Sequence, residues 1–109
     1  MEHYAITIET EACVTLFRVG FGKPASNSVI VAEVDAFMRS TTIPSGKLCL
    51  INGPASLPVA FILAHNLLHR YEEVAIYDPK LSAYVVVSSH GGSCIVGDVI
   101  VAGVNGYPI

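Results

Sequence analysis

Between His65 and His90 the chain carries most of its side chains able to move a proton or grip a phosphate: His65, His69, Asp78, Lys80 and His90. His65 and His69 are four apart, so on a helix they share a flank, one turn apart. Imidazoles so spaced can hold one metal ion or one phosphate. The HExxH zinc pattern is absent, because Asn66 stands where its glutamate would be. Such a pair can equally do no more than make hydrogen bonds. Asp78 lies in Tyr77-Asp78-Pro79-Lys80, at the expected C-terminal end of a strand. That edge is where open α/β sheets bind ligands, although an Asp before Pro also serves simply to start a turn. Lys80 could neutralise a phosphate or stand in solvent. His90 ends an apolar run before Gly91-Gly92, where backbone can approach a ligand closely. It suits a general acid, a metal ligand or neither. Asn52-Gly53, just before a helix, offer an anion contact through that helix's N-terminus.

The elements that must position these groups follow from the pattern. Tyr4 to Thr10 alternates and is β-branched, and Cys13 to Phe21 reads as a second strand, with Glu11-Ala12 as the hairpin turn. Ser26-Asn27-Ser28 offers an N-cap for a helix over Val29 to Arg39, whose Ile30, Val34, Phe37 and Met38 share a face. Lys47 to Ile51 is a short apolar run that suits a central strand. A second helix is predicted from Leu57 to Tyr71, capped by Ser56, with Pro58 in its first turn. Its apolar face collects Ala60, Ala64, Leu67, Leu68 and Tyr71. Strands follow at Glu73 to Tyr77, Ala83 to Ser89 and Asp98 to Val104, then an irregular tail through Gly106, Tyr107 and Pro108. The order ββαβαβββ predicts a single small α/β (α+β) domain over residues 1–109, with two helices packed on one sheet.

Composition narrows the function classes. Apolar residues make up 52% of the chain and charged residues only 14%, with a mean hydropathy of +0.57. A domain of 109 residues cannot bury that much apolar surface within itself, which predicts a homo-oligomer. No run of about 18 apolar residues is present, so no membrane span is expected. The N-terminus, MEHYAITIETEA, lacks a basic region followed by an apolar core, so no signal peptide is expected. Cys13, Cys49 and Cys94 are odd in number and widely spaced, which reads as free thiols in a reducing cytoplasm. A net charge of −3 argues against broad binding to DNA or RNA, while leaving room for a local phosphate pocket.

Three segments together, LAHNLLH (63–69), VAIYDPKLSAYVVVSSH (74–90) and GDVI (97–100), resemble the CRISPR-associated Csx3 family, also called the Crn3 ring nucleases. The resemblance runs from Leu48 onward. It implies a compact fold distantly related to ferredoxin-like Cas proteins. It also implies a homodimer, two of which sandwich cyclic tetra-adenylate and cleave it with help from Mn²⁺, switching off type III CRISPR antiviral signalling. Family members have also been described as RNases acting on 3′ ends. By position, the family's functional residues fall on His69, Asp78, Lys80 and His90, with His65 beside them; by residue chemistry, Asp78 could hold a divalent metal, with His90, or orient His69 or His90. Asn52 and Gly53 would join Lys80 and His65 in binding ligand. The chain departs from the family pattern twice. Lys80 replaces an Arg, which turns a bidentate phosphate grip into a point charge, and Pro54 stands where a further Arg follows the glycine that matches Gly53.

Overall fold

A computed structural model describes residues 1–103 and Tyr107. Strands β1 (Tyr4–Glu11) and β2 (Val14–Phe21) form an antiparallel hairpin. The hairpin turns at Ala12-Cys13, one residue later than the sequence suggests, with Ala12 in the left-handed region at φ 54°. Helix α1 (Asn27–Ser40) starts at Ser26, whose hydroxyl accepts the Val29 N–H. Ile30, Val34 and Met38 recur every four residues and face inward. That stripe and the cap outweigh the strand preference of its Val29-Ile30-Val31 start.

Strand β3 (Gly46–Asn52) buries Leu48, Cys49, Leu50 and Ile51 in succession, as a strand covered on both faces must. Helix α2 (Leu57–Leu67) is capped by the Ser56 hydroxyl and carries Pro58 in its first turn. It is shorter than predicted and buries Val59, Leu63 and Leu67, so the inward stripe is rotated from the expected Ala60–Ala64 face. The helix is apolar on nearly every side, which leaves periodicity with little contrast to assign the face. Tyr71 does not extend it. Instead Tyr71 opens β4 (Tyr71–Asp78), pairs with Gly46, is buried, and donates its hydroxyl to the Pro44 carbonyl. Strand β5 (Ala83–Ser89) has the predicted bounds. Strand β6 (Val99–Val101) is shorter than Asp98–Val104, and Val104, like Gly106 and Pro108 of the tail, lies outside the described residues.

The six strands lie in sequence order, β1-β2-β3-β4-β5-β6. Pairing is parallel from β2 through β3 to β4 and antiparallel elsewhere. The distant ferredoxin-like relationship does not extend to strand order, since no strand is inserted between these parallel neighbours. Two successive crossovers of one hand, each stepping the same way along the sheet, put both helices on one face. There Ile30, Val34, Val59 and Leu63 pack with Phe17, Cys49, Ile51 and Val74. The other face gathers Leu16, Leu48, Leu50, Ala75, Tyr84 and Val86. The result is the small α+β domain, two helices on one mixed sheet, that the order ββαβαβββ predicts.

Burial pushes the hydroxyls of Tyr4 and Tyr71 and the thiol of Cys49 up to about 12 each. The unfolded values are about 10 for Tyr and about 8.5 for Cys. Between those values and about 12 the folded chain keeps protons that the unfolded chain loses, so stability falls as pH rises through that window. The urea midpoint should therefore hold steady up to about pH 8.5 and drop steeply by about pH 12. Tyr4→Phe should soften the drop. A midpoint unchanged to about pH 12 would show that these three groups are not held neutral by the fold.

Candidate functional site

The chemistry-bearing residues divide between two opposite edges of the sheet. At the edge where β3 and β4 begin, α2 has just ended. His69 sits in the turn 68–70 and His90 directly follows β5. Their ring centroids are 5.6 Å apart with planes inclined at 32°. Both side chains are exposed at an open hollow of about 310 Å³, walled also by Gly46, Arg70, Tyr71 and Glu72. The backbone of His90 is fixed by its N–H, which donates to the Glu72 carbonyl at 2.6 Å. Its ring Nε2 lies 3.1 Å from the Leu68 carbonyl and 3.2 Å from the Ser88 hydroxyl. A carbonyl only accepts, so this contact places the proton on Nε2 and leaves Nδ1 of the neutral ring with a lone pair. An imidazole held this way by a backbone carbonyl is also ready to ligate a metal through its other nitrogen.

At the opposite edge, Asn52 and Gly53 end β3 and Asp78 ends β4. Asp78 is half-buried, and its Oδ1 accepts the Lys80 N–H at 2.9 Å, an Asx turn that holds the carboxylate over the start of the 79–82 turn. Lys80 is exposed, and no ion pair of its ammonium is found among the described residues. The Asn52 amide donates to the Tyr84 hydroxyl at 3.1 Å, across the face that the helices do not cover. That contact, rather than one with an anion at the start of α2, is what its side chain makes. Gly53 has φ +138°, and a Cβ there would meet the Val19 carbonyl at 1.8 Å, so the chain can turn from β3 toward α2 only through a glycine.

The structure brings His69 and His90 together and places Asp78, Lys80, Asn52 and Gly53 together, but keeps the two sets apart. Strand β5 runs antiparallel to β4, with Ser89 opposite Glu73 and Ala83 opposite Asp78. Five residue steps at about 3.3 Å separate those rungs, or roughly 17 Å. Asp78 and His90 therefore do not meet within one chain. No group of three or more His, Cys, Asp or Glu side chains that could hold a metal occurs among the described residues. His65 is exposed on α2, whereas His69 lies in the turn just beyond the end of that helix rather than on its flank. Sequence reasoning passed over Glu73, which is 7% exposed and reaches the loop after His90. A charged residue at an inward position of an otherwise apolar strand was the available signal.

A family model described as CRISPR-associated protein (Cas_csx3) matches residues 28–101, well over half of the chain. The chain belongs to this CRISPR-associated family. The match starts at α1, twenty residues before the Leu48 from which the resemblance was legible. No curated protein matches the chain. Among the described residues, no helix is long and apolar enough to cross a membrane.

Gly53→Ala should cost more stability than a surface substitution, on the order of 1–3 kcal/mol or more, because strain and collision add. Urea unfolding measures it, and a loss below about 0.5 kcal/mol would mean that the β3–α2 turn relaxes freely.

Proposed function

We propose that this protein is a metal-dependent ring nuclease that binds cyclic tetra-adenylate, or a similar short RNA, between copies of itself and cleaves its phosphodiester bonds. The observation that carries this reading is the split of the family's functional positions. A histidine pair lies at one sheet edge and a carboxylate with a lysine lies at the other. Two copies meeting edge to edge would complete a site that neither has alone, and a cyclic ligand with repeated phosphates suits such repetition. Exposed Leu57, Phe61, Ile76 and Val87 favour a protein that covers part of its surface with another copy.

Cleavage requires the 2′-hydroxyl to lose a proton, the phosphorane to be stabilised and the 5′-oxygen to be protonated. An imidazole serves as base or acid, the part His69 would take, 5.6 Å from the His90 ring; His90, with Nε2 on the Leu68 carbonyl, would act through the metal. Lys80 offsets charge that develops on the phosphate oxygens. Asp78 from one copy and the Nδ1 lone pair of His90 from another would hold Mn²⁺, which supplies further neutralisation of the phosphate. A single carboxylate plus ligand oxygens is a normal complement for a small divalent cation. The place of action would be the cytoplasm, with no role for DNA or membrane.

The second reading is a non-catalytic sensor or sponge that retains the ring intact. Lys80 and Pro54 favour it, since each stands in place of a family arginine. Incubation with cyclic tetra-adenylate, with and without Mn²⁺, followed by chromatography, decides between the two. Linear products that depend on Mn²⁺ support the nuclease. Intact, protein-bound ring supports the sponge, and no binding defeats both.

Two further outcomes are expected. Lys80→Ala should weaken ring binding, and Lys80→Arg should tighten it by restoring two-point contact with phosphate; equal affinities would show that the side chain points elsewhere. His90→Ala and Asp78→Ala should each lose about 10²–10⁴-fold in rate, and mixing the two proteins should restore part of it. No recovery despite subunit exchange, shown by mixed labelled oligomers, would defeat the shared site.

A further inference from the structure

Glu73 is 7% exposed, yet no lysine, arginine or histidine pairs with it among the described residues. A buried carboxylate needs partners, and this one finds them in the segment that follows His90. Its Oε2 accepts the backbone N–H of Cys94. The Cys94 thiol lies beside the same carboxylate. Burial first, and then this contact, push the thiol's pKa up. Gly92 lies directly against the carboxylate, since a Cβ on Gly92 would stand 2.4 Å from its Cδ and 2.7 Å from its Oε2. The Cys94 carbonyl is in turn held by the Ser89 hydroxyl at 2.7 Å. The 90–94 loop is thus wrapped around one side chain of β4 and closed on the end of β5.

His90 is the first residue of that loop. Its ring reaches the Leu68 carbonyl, and its N–H reaches the carbonyl of Glu72, the residue before Glu73. We propose that Glu73 is a positioning residue: its carboxylate ties the 91–94 segment to β4 and thereby holds the His90 imidazole at the Leu68 carbonyl, beside His69. Without this tie two glycines, Gly91 at φ +87° and Gly92, would leave the loop free to swing and carry the imidazole away from its carbonyl. The role of the imidazole once held rests on the nuclease reading above; the latch itself does not.

Glu73→Ala removes the latch. Glu73→Gln keeps an oxygen for the Cys94 N–H and should preserve it. Gly92→Ala leaves Glu73 in place but drives a methyl group into it, so it should reproduce the loss by a second route should the alanine variant at position 73 fold poorly. Two structural readouts apply at fixed pH without metal: exchange of the Cys94 amide, and the imidazole resonances of His90. Both should change in Glu73→Ala and Gly92→Ala and stay near wild type in Glu73→Gln. Under the nuclease reading kcat should fall about 10–100-fold in the first two, the usual cost of losing a residue that orients a ligand, while KM changes by less than about twofold. A folded Glu73→Ala or Gly92→Ala protein with wild-type His90 resonances and Cys94 exchange overturns the proposal. Displaced His90 resonances in a protein whose wild type cleaves no ring support the latch and overturn the nuclease reading instead.

Discussion

The parallel pairing of β3 with β4 is the constraint on which the rest of the arrangement depends. Parallel neighbours need a crossover that returns to the starting edge, and α2 is that crossover. Asn52 and Asp78, which end the two strands, must therefore share one edge, and the end of α2 with its following turn must lie at the other. A tight reversal after Asp78 then sends β5 back antiparallel, so His90 arrives beside His69. Neither histidine can be moved to the carboxylate edge without changing the direction of a central strand. The division of the site is a consequence of topology, not of side-chain choice.

The same topology explains how so small a chain keeps its central strands dry. With both helices on one face, the opposite face is covered in part by the segment after β5. Cys94 and Ile100 from that segment pack against the face that holds Leu48, Ala75 and Tyr84. Gly97 N–H bonds the Val86 carbonyl, and Val86 N–H bonds the Asp98 carbonyl, which fastens the segment to β5. Core cover and the placement of His90 thus depend on one stretch of chain, and Glu73 stands where the two meet.

Much of this was legible in the sequence, and what was not has identifiable causes. Element order followed from alternation, Ser26 and Ser56 at helix starts, and turn residues at Pro44-Ser45-Gly46 and Asp78-Pro79. The separation of Asp78 from His90 also followed, because a short turn between two strands leaves antiparallel pairing as the ordinary result. The end of α2 did not. Its apolar residues continue through Leu67, Leu68 and Tyr71, and only pairing of Tyr71 with Gly46 and its bond to Pro44, both distant in sequence, stop the helix. The site inherited that error, since His69 was placed on a helix that ends before it. The charge of Glu73 on an apolar strand was a signal, but its role was not legible for a related reason: its partners lie about twenty residues away in a loop that has no pattern of its own.

On the proposed reading, the loss of two family arginines has a cost that symmetry multiplies. Each phosphate of a ring held between copies meets a similar half-site, so a weaker grip at Lys80 is repeated at each of them. Linked contacts can still bind tightly, because after the first is made the others form at high effective concentration. Weak half-sites therefore make ring binding depend more steeply on completing the assembly than strong ones would. They also shift charge neutralisation from the side chains toward the divalent ion, since a lysine offers a point charge where an arginine offers two directed donors. A chain with net charge −3 has little long-range attraction for an anion to compensate. Selectivity then comes from geometry: a linear RNA can engage one half-site, but only a ligand whose phosphates match the spacing of the paired edges engages them all.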